Sequence, residues 1–152
     1  MTQSADKFPR GVPFEMGQIL IEALRKDPEL AGAKVLDNPE RASDLQDGPR
    51  IVFLEDQRDT PLEQPGQLQQ RIYHFSVGVI ARTQLARAQA HGDYRLVKRI
   101  LRNRCMPLIT AAGIRLDGLG LQEGAVHYRL ENIDVGGSLV LGAFTIQYRD
   151  PS

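Results

Sequence analysis

Three histidines, His74, His91 and His127, are the side chains of this sequence best suited to proton transfer or metal binding at neutral pH. They fall in three different predicted elements, and none lies in an HExxH motif or another metal-ligand spacing. Catalysis would require the fold to gather His74 or His127 with a carboxylate. A small α+β enzyme therefore stays open as an alternative, but the sequence itself predicts no catalytic residue and no metal site.

The other residues that could take part in catalysis or ligand binding form no recognisable site either. No serine lies in a GxSxG motif, and the single cysteine, Cys105, lies in a predicted helix among apolar residues. The glycines at Gly118–Gly120 and Gly136–Gly137 match no phosphate-binding loop. The acidic group between residues 55 and 63 lacks the ligand spacing of an EF-hand. We therefore expect no cofactor.

Charge is distributed unevenly along a chain whose formal net charge is zero. Residues 82–104 include seven basic side chains and one acidic one, whereas residues 37–63 include eight acidic and three basic side chains. Three interpretations stay open: ordinary solvated surfaces, a nucleic-acid-binding module, or head-to-tail docking of an acidic segment on the basic helix of another copy. The residues predicted for such a subunit interface are Arg95, Lys98, Arg99, Arg102, Glu55, Asp56, Asp59 and Glu63.

Length and composition indicate what must position these side chains. A chain of 152 residues fits one domain, and its core must consist mostly of Leu, Ile, Val and Ala because aromatic residues make up only 6%. The zero net charge argues against a protein built to hold DNA or an anionic membrane. No apolar stretch is long enough for a membrane helix, and the N-terminus resembles no signal peptide. We expect synthesis in the cytoplasm.

Hydrophobic periodicity predicts a helix over Pro13–Lys26 and a second helix that follows a break at His91–Asp93, with Asp93 as its N-cap. Pro107 is expected to kink the second helix, and Gly113 to end it. Patterns of apolar residues predict strands at residues 34–37, 51–54, 70–81, 114–121, 125–134 and 139–148, the last two of which form a hairpin. Residues 55–70 read as a long loop.

These elements predict an α+β fold: a mixed, mostly antiparallel sheet of about five strands with two main helices packed on one face. Residues 1–12 are expected to form a flexible N-terminal arm, and residues 13–152 a single domain. Phe75 and Ile146 are expected to lie in the core, and Arg99 on the surface.

The order of elements is similar to that of one protein family. A leading amphipathic helix precedes short strands, the strand RIYHFSVGVIAR runs into a basic helical region, and the chain closes with ENIDVGGSLVLGAFTIQYRD. This layout, over roughly residues 14–150, resembles the tail terminator (minor tail) proteins of long-tailed bacteriophages.

The resemblance implies a structural virion subunit that is made in the host bacterial cytoplasm and has no cofactor. It implies a hexameric ring that caps the tail tube, ends tail polymerisation and joins the tail to the head connector. The implied partners are further copies of the chain, the tail tube protein and a connector or neck protein. DNA would at most pass through the ring lumen, and no membrane is involved. Head–tail joining and tail completion proteins share this layout and stay open.

Overall fold

The computed structural model describes residues 7–62, 69–130 and 137–151. Five strands form one sheet: β1 (Lys34–Asp37), β2 (Arg50–Pro61), β3 (Gln70–Ala81), β4 (Arg115–Leu130) and β5 (Ser138–Arg149). Their order across the sheet is β1-β2-β3-β5-β4. β1 pairs in parallel with β2, and all other neighbours pair antiparallel.

The helices are α1 (Val12–Lys26), α2 (Ala86–Ile100) and α3 (Met106–Ala111), with short 3-10 turns at Pro28–Leu30 and Ala42–Leu45. α1 packs over β1 and β2, and α2 packs over β3 and β5, so both main helices cover the same face of the sheet. The predicted fold class is therefore confirmed.

Alternation along the strands places the core between this face and the helices. Tyr73, Phe75, Val77 and Val79 of β3 all point to the helices, and Phe75 stacks on Phe144 of β5 with ring centroids 5.6 Å apart. Because every second residue of a strand lies on the same face, the face of β3 that these four residues form is continuously apolar. β5 is an inner strand of the sheet, since it lies between β3 and β4.

A second, smaller cluster lies on the opposite face of the sheet. Ile51, Phe53 and Ile80 are buried there beneath Leu45 of the second 3-10 turn. Phe53 lies directly over Gly78, where a Cβ atom would overlap its ring. Among the described residues, no helix covers the rest of this face, in agreement with the prediction that the helices pack on one face of the sheet.

Three sequence-based boundaries are wrong. Residues 55–61, predicted as loop, extend β2 and pair with β3, while residues 63–68 of that predicted loop lie outside the described residues. The predicted break at His91–Asp93 does not occur, because α2 runs through it. The strands predicted at 114–121 and 125–134 are one strand, β4, with two register shifts. The hairpin pairing of β4 with β5 is confirmed, although residues 131–136 between them lie outside the described part.

Pro107 affects the helical region in an unexpected way. Residues Leu101–Cys105, between α2 and α3, form a π-helical turn in which the Met106 N–H donates to the Leu101 carbonyl, five residues earlier. In a regular α-helix the proline ring would collide with the carbonyl of residue 103. The wider turn accommodates the proline without ending the helical path. Gly113, with a φ of 90°, follows α3 as predicted.

Of the segment predicted as a flexible arm, residues 7–12 are described, and Phe8 and Val12 lie in the main core cluster. The arm and the single domain stay predictions. None of the helices in the described residues is both long enough and apolar enough to span a membrane.

Candidate interaction surfaces

Three arginines form a basic stripe on the outer side of the helical region. Arg95, Arg99 and Arg102 are exposed, and their spacing of four and three residues places them on one side of the helix. The buried residues Val97 and Ile100 lie on the other side, against the sheet. We find no ion pair between these three arginines and any described carboxylate. The predicted exposure of Arg99 is confirmed.

Lys98, the fourth basic residue predicted for the interface, turns toward the sheet instead. Its Nζ lies 3.3 Å from Oε1 of Glu123 on β4. The Tyr94 hydroxyl donates to the other oxygen of the same carboxylate at 2.6 Å. Burial and this hydrogen bond raise the pKa of Tyr94. Glu123 thus connects the edge strand β4, on which it lies, to α2, a role that no sequence pattern predicted.

The acidic residues predicted for the interface are distributed differently from what the sequence indicated. Glu55 is half-buried on the face of the sheet that carries no helix, opposite Ser76. Asp56 accepts a hydrogen bond from the Tyr73 hydroxyl. Asp59 accepts from Nε of Arg71 at 2.7 Å and from the Tyr148 hydroxyl at 2.9 Å. Glu63 lies outside the described residues.

A β-bulge explains why Asp56 and Asp59 both reach tyrosine hydroxyls. The register of β2 against β3 shifts between Asp56 and Arg58, so that Asp56 pairs with Phe75 and Asp59 with Tyr73. Strict alternation would place residues three apart on opposite faces, whereas the extra residue of the bulge returns Asp59 to the helix-covered face. Burial first, and then these carboxylates, raise the pKa values of Tyr73 and Tyr148.

Further acidic side chains, most of them exposed, lie along residues 37–47, at the end of β1 and after it, at one edge of the sheet. We call this the acidic segment; its carboxylates are those of Asp37, Glu40, Asp44 and Asp47, and its one basic side chain is that of Arg41. Two of these carboxylates accept hydrogen bonds within the chain: Asp37 from the Gln18 side chain at 2.8 Å, and Asp44 from the Arg41 backbone N–H at 3.1 Å.

Two further charged pairs connect elements distant in sequence. Arg50 at the start of β2 donates from Nε and Nη2 to the two carboxylate oxygens of Asp93, each at 2.9 Å. This hydrogen bond is the main reason that the pKa of Arg50 is raised. Arg104 of the π-helical turn lies 3.0 Å from Asp27. Asp93, predicted as an N-cap, is instead a buried ion-pair partner inside α2.

The histidines do not converge. His74 pairs across the sheet with Thr145, whereas His127 pairs with Leu141 four residues away along β5, a separation of about 13 Å along the strand. His74 lies 3.1 Å from Oγ1 of Thr60, and its pKa is lowered by burial and by the nearby charge of Arg58. Among the described residues, no group of three His, Cys, Asp or Glu side chains is placed to hold a metal ion. The thiol of Cys105 is buried in the core, which raises its pKa to about 12.

No protein-family model matches the chain, and no curated protein matches it. Among solved structures, the chain is similar to one from the virion of a native gene transfer agent particle, with a TM-score of 0.52 and 16% sequence identity. The similarity covers 88% of this chain and 93% of that chain. At this level of identity the likeness is one of fold, and the protein therefore has the fold of a chain that occurs in a gene transfer agent virion.

Proposed function

We propose that this protein is a structural subunit of a phage-like virion. The observation that carries the proposal is the likeness of fold, over 88% of this chain, to a chain of a gene transfer agent virion. The layout that resembles tail terminators favours a more specific role: a hexameric ring that caps the tail tube, ends tail polymerisation and joins the tail to the head connector. No cofactor and no catalytic step is part of this role.

The positions of the charged surfaces support association between copies. The basic stripe lies on α2, above β3 and β5, whereas the acidic segment follows β1, three strand spacings away from β5. The 3-10 turn of the acidic segment packs Leu45 on the face of the sheet opposite to α2, and no ion pair joins the two surfaces among the described residues. Two different complementary surfaces produce head-to-tail contacts, which close into a ring when the rotation between copies allows it.

The arrangement of the predicted interface residues makes the proposal more specific. Arg95, Arg99 and Arg102 are exposed and available to a neighbouring subunit, whereas Lys98, Asp56 and Asp59 already have partners within the chain. We therefore propose that the stripe contacts the acidic segment of the next copy, with Glu55 as a further contact.

The proposal is tested by measuring assembly with and without the tail tube. The purified protein is analysed by light scattering at several concentrations and by sedimentation with isolated tail tubes, with electron microscopy of the pelleted particles. We expect rings in solution or on the end of the tube. A protein that is monomeric at every concentration and does not bind tubes would rule the proposal out. Binding elsewhere in the neck would indicate a head–tail joining or tail completion protein.

A charge reversal tests the role of the stripe. We expect Arg99→Glu to impair assembly while the free energy of unfolding changes by less than about 0.5 kcal/mol, because the residue is exposed. The matched control is Arg115→Glu, which alters an exposed arginine on β4 and should leave assembly intact. An equal loss of stability and assembly in Arg99→Glu would contradict the assignment of the stripe.

A further inference from the structure

One of the four tyrosines differs from the other three. Tyr73, Tyr94 and Tyr148 are buried, and their hydroxyls donate to carboxylates of Asp56, Glu123 and Asp59 respectively. The side chain of Tyr128 is 61% exposed. Packing in the core therefore explains why tyrosine occurs at the first three positions, but it does not explain the tyrosine at position 128.

Tyr128 is held in a defined orientation despite its exposure. Its ring lies parallel to that of His91, with centroids 4.8 Å apart and an interplanar angle of 9°. His91 belongs to α2 and Tyr128 to β4, so two packed elements position the stack. Because His91 covers one face of the Tyr128 ring, the accessible area is chiefly its other face. The result is an aromatic platform that is oriented before any ligand binds.

A cavity of about 220 Å³ adjoins the platform. The residues that line it share a simple chemistry: two guanidinium groups, the two stacked rings, one hydroxyl and an apolar wall. They are Arg87, His91, Tyr128, Arg129, Ser138 and Leu139, together with Val140. Arg87 and Arg129 are exposed, and the lining described for this cavity includes no carboxylate. The basic stripe at Arg95, Arg99 and Arg102 does not contribute to it.

We propose that this cavity binds one unpaired nucleotide of a single-stranded nucleic acid, with the base stacked on Tyr128 and the adjacent phosphates bound by Arg87 and Arg129. A base and a tyrosine ring stack without regard to sequence, because every base has a π-face. Guanidinium groups match the geometry of phosphate oxygens. An acidic peptide would use the two arginines but leave the aromatic face empty, whereas a nucleotide is both planar and anionic. This site goes beyond the proposed structural role and does not depend on it.

The test measures binding of a fluorescein-labelled oligothymidine by anisotropy at several salt concentrations, with a duplex of the same length for comparison. Tyr128→Ala is expected to weaken binding of the single strand by roughly 5- to 150-fold, while Tyr128→Phe keeps the stacking surface and binds nearly as well as the unmodified protein. The double variant Arg87→Ala/Arg129→Ala should reduce the slope of log affinity against log salt by about 1.4, or about 0.7 for each of two phosphates. Leu119→Ala, which truncates a 78% exposed side chain on the same strand, is the matched control.

A second measurement does not rely on substitutions. Ultraviolet crosslinking to an oligonucleotide that contains 5-iodouracil should attach the nucleic acid to Tyr128 or His91, as read by mass spectrometry of peptides. Undetectable binding at low salt would overturn the proposal, as would an affinity unchanged by Tyr128→Ala or crosslinks confined to the basic stripe. Loss of tail-tube binding in Tyr128→Ala with oligonucleotide binding intact would show that the surface contacts protein, which also overturns it.

Discussion

Asp93 carries a negative charge yet is only 4% exposed. Its carboxylate accepts two hydrogen bonds from Arg50 and a third from Nε2 of Gln89, all at 2.9 Å. Paired, parallel hydrogen bonds between a guanidinium and a carboxylate are among the strongest that side chains form. Since Arg50 begins β2 and Asp93 lies within α2, the pair connects the sheet to a helix that covers it.

We expect Asp93→Ala to be strongly destabilising. The substitution leaves the Arg50 guanidinium without its carboxylate, and removal of one partner from a buried pair costs about 3–5 kcal/mol. Arg50 keeps a side-chain exposure of 20% and a 3.1 Å hydrogen bond to the Glu29 carbonyl, so the lower end of that range applies. For a domain of this size, about 3 kcal/mol corresponds to a fall in Tm of roughly 6–12 °C.

Thermal and urea unfolding followed by circular dichroism measure this effect. The double variant Arg50→Met/Asp93→Leu removes both charges, and we expect its stability to lie within about 1 kcal/mol of the unmodified protein. Asp47→Ala, at an exposed carboxylate of the acidic segment, is the matched control and should melt normally. A Tm for Asp93→Ala within about 2 °C of the unmodified protein would refute the reasoning. The reasoning would also be refuted if the double variant lost as much stability as the single substitutions Arg50→Met and Asp93→Leu lose together.

Three further predictions concern the core. Phe75→Ala and Ile146→Ala, at side chains 1% and 0% exposed, should each lower the free energy of unfolding in urea by about 2–5 kcal/mol; melting like the unmodified protein would show that the strand faces are misassigned. Gly78→Ala should cost about 1–3 kcal/mol because its Cβ overlaps the Phe53 ring, and Phe53→Leu in the same chain should recover part of that loss. The Cys105 thiol should resist a disulfide reagent at pH 8 until the protein unfolds. Because its pKa is raised to about 12, the unfolded chain loses this proton at lower pH than the folded one, so stability should decline as pH rises above about 8.5.

Most of the fold follows from local patterns in the sequence. The strands at residues 34–37 and 70–81 have the predicted bounds, because alternating apolar residues there end at turn-forming or polar residues. The second half of β2 was missed because residues 55–61 carry polar side chains. Their strand conformation is supported by pairing with β3 and by the hydrogen bonds of Asp56 and Asp59, which local periodicity does not reveal.

The uninterrupted course of α2 is a second feature that local sequence patterns do not predict. His91-Gly92-Asp93 has the composition of a helix break, but a helix with a buried stripe tolerates an exposed glycine when tertiary packing compensates. The compensation comes from Arg50, 43 residues before Asp93 in the chain. Exposure of the arginine stripe was predictable from helical spacing, whereas the partners of Lys98 and Asp59 were not. The Tyr148–Asp59 bond spans 89 residues, and the His91–Tyr128 stack likewise joins separate elements.

The carboxylate of Asp59 has a mechanical consequence. It joins β2 to Arg71 on β3 and to Tyr148 on β5, so a single side chain fastens three consecutive strands at one end of the sheet. Sliding of one strand past another by a single residue displaces it by about 3.3 Å, farther than a hydrogen bond can stretch. The sheet therefore resists shear at this end, and a pulling force applied along β3 must break the Asp59 contacts before the strands can slip.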